Sequence, residues 1–152
     1  MKKLTLLPLA CGLGIAGLAQ LAIGQDAPAD KINFEKQLYP ILEAKCVECH
    51  KAPYVDERGR TKKPKSGFRM DGAWGYPKGG DYQEDEGKKV IVPGKPDEST
   101  LYIFPTLPED DDYHMPPKED DLTEEEKAIL KKWIEEGADF GGWVGNEEGK
   151  EE

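Results

Sequence analysis

An amphipathic pattern near the start of the chain predicts a first helix. Apolar side chains recur at helical spacing within the segment 34–45, at Leu38, Ile41 and Leu42. Pro40 lies inside this pattern and predicts either a kink or a fresh start, because proline has no amide N–H to donate. The next two segments, 51–67 and 72–94, have no helical period, so we expect loops there.

A second amphipathic segment predicts a better-defined helix near the other end. Thr123 and Glu126 have the spacing of a capping box, in which each side chain accepts a hydrogen bond from the other residue's amide. The apolar stripe that follows consists of Ile129, Leu130, Trp133 and Ile134. Gly137 predicts the end of this helix, and residues 141–152 predict a disordered acidic tail. The pattern as a whole indicates one mainly α-helical domain over residues 34–140.

The first 24 residues have the pattern of a secretory signal peptide. Lys2 and Lys3 precede an uncharged apolar run, and a small-x-small site ends at Gly24. We therefore expect residues 1–24 to be cleaved, residues 25–33 to form a flexible leader, and the protein to be periplasmic or otherwise extracytoplasmic. The apolar run approaches the length of about 20 residues that spans a bilayer, so an N-terminal membrane anchor is the alternative if cleavage does not occur.

Loss of the signal peptide makes an acidic chain more acidic. The formal net charge moves from −10 to −12 because Lys2 and Lys3 are lost and all 31 acidic residues remain. Cys11 is lost as well, which leaves two cysteines and no disulfide to expect. Strong acidity argues against binding to nucleic acid or to anionic membrane surfaces, and it favours a soluble protein that meets basic partners.

The chemistry of the chain is concentrated in one motif, Cys46-Val47-Glu48-Cys49-His50. C-x-x-C-H is the attachment site of a c-type haem: two thiols one helical turn apart bond the porphyrin edge, and the adjacent imidazole becomes the proximal iron ligand. A zinc site would need about four ligands, and beyond this motif the mature chain adds only His114. A redox dithiol would need a βαβ context that the flanking sequence lacks. We therefore expect one covalent haem c per chain.

Three residues are candidates for the distal iron ligand: Met70, His114 and Met115. Met70 lies in an alternating extended segment, which is typical of a core side chain. Met115 precedes Pro116 and Pro117, which stiffen the loop in the way that a weak thioether ligand requires. The sequence favours Met115, with His114 as the next candidate. Iron held by His and Met is typical of electron-transfer haems.

Taken in chain order, these motifs resemble the planctomycete-type cytochrome c domain. The matching pieces are Tyr39-Pro40-Ile41-Leu42, Cys46-Val47-Glu48-Cys49-His50, Ser66-Gly67-Phe68-Arg69-Met70-Asp71, Gly79-Gly80-Asp81, Val92-Pro93-Gly94-Lys95-Pro96-Asp97-Glu98-Ser99, Met115-Pro116-Pro117, Leu122-Thr123-Glu124-Glu125-Glu126 and Trp133-Ile134-Glu135-Glu136-Gly137-Ala138. The resemblance implies a small class I cytochrome c-like fold, with the N- and C-terminal helices packed together and long irregular loops.

The same resemblance implies a haem c bound by Cys46, Cys49 and His50, with Met115 as the distal ligand. Two classes of function follow. A diffusible electron carrier has both axial positions filled, whereas a haem enzyme or sensor has a labile distal position for peroxide or a gas. We favour the carrier, because no acid/base constellation accompanies the haem motif. Its redox partner is expected to present a basic docking surface, and charge of opposite sign in the loops 51–65 and 109–112 is expected to border the haem.

Overall fold

The computed structural model describes residues 31–117 and 121–151. The predicted signal peptide, residues 1–24, lies outside the described residues, as do residues 25–30 of the predicted leader. The described part is mainly helix and irregular loop, with one two-stranded antiparallel sheet. Within it, no helix has both the length and the apolar character needed to cross a membrane.

The first predicted helix exists, and it is interrupted at Pro40. It consists of a π-helical turn, a short α-helix and a second π-helical turn: Phe34–Leu38, α1 at Tyr39–Leu42 and Glu43–Val47. Asn33 caps its start by accepting a hydrogen bond of 2.9 Å from the amide of Lys36. The amide of Tyr39 bonds back to the carbonyl of Phe34, and Pro40 then occupies the first turn of α1, where its missing N–H costs little. Of the predicted kink or fresh start, the structure shows only a change of hydrogen-bond pattern at Tyr39, and the backbone stays helical on both sides of it.

The first segment predicted to be a loop contains a small hairpin. Strands β1, Tyr54–Val55, and β2, Thr61–Lys62, pair antiparallel. Asp56 organises the connection because its Oδ1 accepts hydrogen bonds from the amides of Arg58 and Arg60, each 2.9 Å long. The expectation of loop alone is therefore wrong here; strands of two residues are too short to produce an apolar alternation in the sequence.

The second predicted loop segment contains two short helices, α2 at Gly75–Lys78 and α3 at Asp81–Glu86. The prediction missed both because Gly79 and Gly80 break any continuous period between them. A further helix, α4, spans Thr100–Ile103. Three 3-10 turns complete the middle of the chain: Lys65–Gly67, Pro96–Glu98 and Phe104–Thr106.

The last helix, α5, spans Glu124–Glu135 and confirms the predicted capping box. Thr123 donates its amide to the Glu126 carboxylate at 2.8 Å, and its hydroxyl accepts from the Glu126 amide at 3.2 Å. These bonds satisfy two of the amides that a helix start leaves unpaired.

The N-terminal helical segment runs antiparallel to α5 and packs against it. The amide of Ile32 donates to the Glu136 carboxylate at 2.7 Å, near the end of α5. At the other end of the interface, Lys45 Nζ lies 3.9 Å from the Glu126 carboxylate. Between them the ring centroids of Phe34 and Trp133 are 5.0 Å apart. The core shared by the two elements consists of Phe34, Leu38, Leu42, Leu130, Trp133 and Ile134, all less than 3% exposed.

Residues 141–149 differ from the predicted disordered tail. The backbone at Gly145 forms a bridge with Gly72, and Trp143 packs on the rings of Phe34 and Tyr39. The acidic and glycine-rich composition suggested disorder, but an aromatic anchor and backbone hydrogen bonds to a distant segment hold these residues in place. Such contacts between residues far apart in sequence leave no periodic signal.

Candidate functional site

The haem motif lies at the end of the N-terminal helical segment, in a helical turn. The amide of Cys49 bonds to the carbonyl of Cys46 at 3.2 Å, and the amide of His50 bonds to the same carbonyl at 3.2 Å. This turn places the two cysteines one helical turn apart and His50 directly after them. Both cysteines carry free thiols, and Cys49 is the more exposed. Burial raises the pKa of Cys46 to about 12, so this residue is a neutral thiol at physiological pH.

The imidazole of His50 is oriented by a backbone carbonyl. Its Nδ1 lies 3.3 Å from the carbonyl oxygen of Phe68. Since a carbonyl only accepts, Nδ1 carries the proton, and Nε2 then carries the lone pair that a metal ligand needs. Burial lowers the pKa of His50, although the carbonyls of Phe68 and Lys65 oppose that shift. The neutral form required for ligation is therefore the favoured one.

The Phe68 carbonyl is fixed because the segment 65–71, the proximal segment, runs alongside the haem motif. The amide of Lys65 donates to the carbonyl of Cys49 at 2.9 Å, and the amide of Met70 donates to the carbonyl of His50 at 2.7 Å. On the core side, the hydroxyl of Tyr76 donates to the carbonyl of Met70 at 3.1 Å. The backbone and the side chain of His50 are thus held by one stretch of chain.

A buried ion pair terminates the proximal segment. Arg69 donates from Nε to Asp71 Oδ1 at 2.6 Å and from Nη2 to Oδ2 at 2.9 Å, and both residues are less than a tenth exposed. Asp71 Oδ2 also accepts from the amide of Ala52, two residues beyond the proximal histidine, at 3.0 Å. Burial alone would raise the pKa of Asp71, but the hydrogen bonds from Arg69 and Ala52 hold it below its usual value.

Two of the three candidate distal residues, His114 and Met115, lie in a second loop, 107–117, here the distal loop. His114 is buried, and both of its ring nitrogens have partners: Nδ1 lies 2.8 Å from the carbonyl of Leu107, and Nε2 lies 2.6 Å from Asp121 Oδ1. The hydrogen bond to Asp121 raises the pKa of His114. Both partners are acceptors, so the imidazolium form satisfies both with hydrogen bonds and retains no lone pair for a metal.

Met115 and Met70 differ in exposure. Met115 is 37% exposed, and its amide donates to the carbonyl of Phe104 at 3.4 Å. The peptide bond between Met115 and Pro116 is cis. Met70 is 2% exposed and belongs to the hydrophobic core. Its core position agrees with the alternation in the sequence around it.

Three aromatic rings pack together beside the distal loop. Tyr82 and Phe104 have centroids 5.0 Å apart, and Tyr82 and Tyr113 have centroids 4.9 Å apart. Tyr113 is half exposed and directly follows the exposed acidic residues 109–112. This apolar, partly open ring cluster adjoins the backbone of Met115, whose amide bonds to the Phe104 carbonyl.

These residues fit a c-type haem. The thiols lie at the spacing that two vinyl groups require, and the neighbouring imidazole is neutral and aligned by its Nδ1 proton. Among the described residues, no three His, Cys, Asp or Glu side chains cluster as ligands for a bare metal ion. The donor set is therefore one imidazole beside two thiols, with an exposed thioether elsewhere in the fold.

Comparison with protein-family models gives a match over part of the chain. Residues 46–119 match the model described as Planctomycete cytochrome C. The predicted resemblance to the planctomycete-type cytochrome c domain is thereby confirmed over these residues. Searches of curated proteins and of solved structures gave no significant match.

The match indicates a haem-dependent electron-transfer domain, of a kind typically found outside the cytoplasm. It begins at Cys46 and extends just past the distal loop, so it covers the haem motif, the proximal segment and Met115. Helix α5 and the N-terminal helical segment up to Lys45, which supply the shared core, lie outside the matched range.

The sequence pattern does not predict the residues that hold His50. It assigns Met70 to the core and gives Arg69 and Asp71 no role, although alternation places these two charges together on the opposite side of an extended segment. Two opposite charges on the same side of an extended segment are a sequence pattern that predicts an ion pair. The Phe68 carbonyl carries no such signal, because a backbone acceptor has no side-chain identity.

Proposed function

We propose that this protein is a mono-haem c-type cytochrome that carries electrons outside the cytoplasm. Cys46 and Cys49 bind the haem covalently, His50 is the proximal iron ligand, and Met115 is the distal ligand. When bound, the haem supplies an iron that cycles between the ferrous and ferric states. The fold is of the small class I cytochrome c type, which the antiparallel packing of the N-terminal helical segment against α5 supports.

The observation that carries this proposal is the hydrogen bond of His50. Its Nδ1 proton is committed to the Phe68 carbonyl, directly after two thiols in a C-x-x-C turn. This bond fixes the tautomer and the ring orientation, which is the usual arrangement around a ligating histidine. A redox dithiol or a core histidine has no need of this combination.

The distal assignment rests on the contrast among the three candidates. His114 has acceptors at both ring nitrogens, and Met70 is enclosed in the core, whereas Met115 retains an exposed thioether. With two protein ligands the iron exchanges electrons without binding a substrate, so the protein is a carrier and not an enzyme. A peroxidase or gas sensor would need the distal position to be labile.

The redox partner is proposed to carry a basic docking surface. The residues Glu109, Asp110, Asp111 and Asp112 are all exposed beside Tyr113. On the other side, the basic loop 51–65 is partly neutralised, because Asp56 pairs with Arg60 and Lys62. The acidic surface near the distal ligand is therefore the stronger candidate for steering a partner.

Visible spectroscopy of the purified holoprotein tests the proposal. We expect a low-spin reduced-minus-oxidised spectrum, and colour that stays with the polypeptide after acid-acetone extraction. Cys46→Ala with Cys49→Ala should abolish that retained colour. Covalent haem in the double variant would overturn the attachment site.

A second set of variants tests the distal ligand. Met115→Ala should give a high-spin or water-ligated haem, lower its reduction potential and admit carbon monoxide. Met70→Ala should leave the spectrum as it is. If His114→Ala produces the spectral change instead, the haem has two histidine ligands. Rapid carbon monoxide binding by the unmodified protein would favour the gas-binding alternative.

A further inference from the structure

The proximal segment is held from one side by the haem motif. Phe68 accepts from His50 Nδ1, Met70 donates to the His50 carbonyl, and Asp71 Oδ2 accepts from the amide of Ala52. The position of the carbonyl that orients the proximal histidine therefore depends on where residues 68–71 lie.

Residues 143–149, here the C-terminal strap, hold the same segment from the other side. The amide of Asn146 donates to the carbonyl of Asp71 at 2.7 Å, and its Nδ2 donates to Asp71 Oδ2 at 3.1 Å. Trp74 Nε1 donates to the carbonyl of Asn146 at 2.8 Å, and Arg69 Nη1 donates to the carbonyl of Glu148 at 3.0 Å. Three of these four hydrogen bonds join the sequence-distant strap to the end of the proximal segment, and the fourth joins it to Trp74, three residues further on.

One oxygen atom joins the two sets of contacts. Asp71 Oδ2 accepts from Ala52 on the haem-motif side and from Asn146 on the strap side. Asp71 is 9% exposed, so water does not readily replace either donor. A strap that shifts must move this carboxylate, and the carboxylate is bonded to the residue two positions after His50.

The strap packs against the chain around Asp71 without room for a side chain at Gly72 or at Gly145. A Cβ at Gly72 would lie 2.1 Å from the carbonyl oxygen of Asn146. A Cβ at Gly145 would lie 2.4 Å from the carbonyl oxygen of Asp71, and the φ of Gly145 is +63°. Two glycines therefore permit the backbones of the strap and the proximal segment to approach to bonding distance.

We propose that the C-terminal strap, with Asn146 at its centre, is a positioning element for the proximal histidine. The inference rests on the proposed role of His50 as the iron ligand. A firm Nδ1–H···O=C bond makes the imidazole a stronger donor to the iron and favours the ferric state. Displacement of the strap loosens the Phe68 carbonyl, weakens that bond and raises the reduction potential.

Two glycine variants provide a matched test on the full-length holoprotein. Gly145→Ala places a methyl group against Asp71 and displaces the strap. Gly141→Ala introduces the same side chain at nearly the same backbone conformation, φ +61°, where nothing lies within 4 Å. Both changes are neutral in charge, so a difference between them does not arise from the loss of an acidic residue.

Three readouts separate positioning from general destabilisation. Gly145→Ala should speed amide exchange of Met70 and Ala52 roughly tenfold, which corresponds to losing about one hydrogen bond. It should also speed exchange of the His50 Nδ1 proton and raise the midpoint potential. Gly141→Ala should leave all three at the wild-type values. Asn146→Ala, which keeps the backbone bonds, should shift them in the same direction by less, and it serves if Gly145→Ala fails to fold.

The results distinguish the strap from the haem assignment. If Gly145→Ala and Asn146→Ala leave the exchange of Met70 and Ala52 at wild-type rates, the strap does not position the proximal segment. The proposed haem function would stand in that case. If the wild-type chain binds no haem, the proposed function fails, and the two amide exchange rates still report whether the strap holds the segment.

Discussion

The proximal segment and the distal loop support their candidate ligands in different ways. The proximal segment bonds both the backbone and the ring of His50 and ends in a buried ion pair. The distal loop is fastened by His114, whereas Met115 beside it is over a third exposed. The fold therefore fixes the orientation of the candidate imidazole ligand, whereas it holds the loop of the candidate thioether ligand through the neighbouring His114.

The largest expected effect is the loss of the buried charge pair on the proximal side. Asp71→Ala leaves Arg69 buried without its carboxylate, which should lower the free energy of unfolding by about 3–5 kcal/mol. Urea unfolding of the holoprotein measures it. Asp110→Ala in the distal loop removes an exposed carboxylate and should stay within about 0.5 kcal/mol. Equal unfolding midpoints for the two variants would remove the contrast between the regions.

Met70 in the proximal segment and Met115 in the distal loop allow the two regions to be compared with the same residue type. Met70→Ala creates a cavity in the core and should cost about 2–5 kcal/mol of unfolding free energy. Met115→Ala truncates a side chain that is 37% exposed, so it should lower the unfolding free energy clearly less than Met70→Ala does. It should, however, change the haem spectrum. Thermal unfolding monitored by circular dichroism ranks them. The reverse ranking would mean that Met115 is the structural methionine.

The hydrogen bonds of His114 hold the base of the distal loop. Removing them should lower the free energy of unfolding by less than either Asp71→Ala or Met70→Ala. His114→Ala removes the hydrogen bonds to Leu107 and Asp121, for an expected loss of about 1–3 kcal/mol. The fraction of haem that binds carbon monoxide should rise, because the loop then holds Met115 less firmly. Asp112→Ala, which truncates an exposed side chain in the same loop, is the control variant. An unaltered carbon monoxide fraction in His114→Ala would contradict the role of this tether.

Stability should fall in acid through Asp71. The pKa of Asp71 is depressed in the folded state, so its contribution is complete above the unfolded carboxyl pKa of about 4 and is lost as pH falls through the folded value. The loss is smaller than in Asp71→Ala because the protonated side chain still fills its site. Asp71→Asn should flatten this part of the pH dependence, as measured by urea midpoints between neutral and acid pH. An identical slope in that variant would assign the acid sensitivity to other carboxyl groups.

Much of the helical framework follows from sequence, since α5 and the N-terminal segment have long apolar stripes and a recognisable cap. The haem motif follows as well, because its chemistry fixes both residue type and spacing. The two-residue strands, the helices around Gly79 and Gly80 and the C-terminal strap do not follow. The strands and the two helices are too short to show a period, and the strap depends on hydrogen bonds between distant segments, which leave no periodic pattern along the chain.

The smallest effect concerns exposed charge near the distal loop. Replacing Asp110, Asp111 and Asp112 by asparagine should slow electron exchange with a cationic metal complex and speed it with an anionic one. Both changes should shrink at physiological salt, where the Debye length is about 8 Å. Reversing Lys63 and Lys65 to glutamate tests the basic loop in the same stopped-flow assay. Rates indifferent to salt and to both sets of variants would exclude electrostatic steering.

The antiparallel packing of the N-terminal helical segment against α5 also determines which contacts can form early during synthesis. Ile32 bonds to Glu136 across 104 positions, and Trp133 closes the core over Phe34. Contacts this far apart cannot form until nearly the whole polypeptide has emerged, and closing so long a loop is slow. Cys46, which packs against that core, is synthesised about 90 residues before α5 is complete. The nascent chain therefore presents both thiols in an open state before the core forms around Cys46.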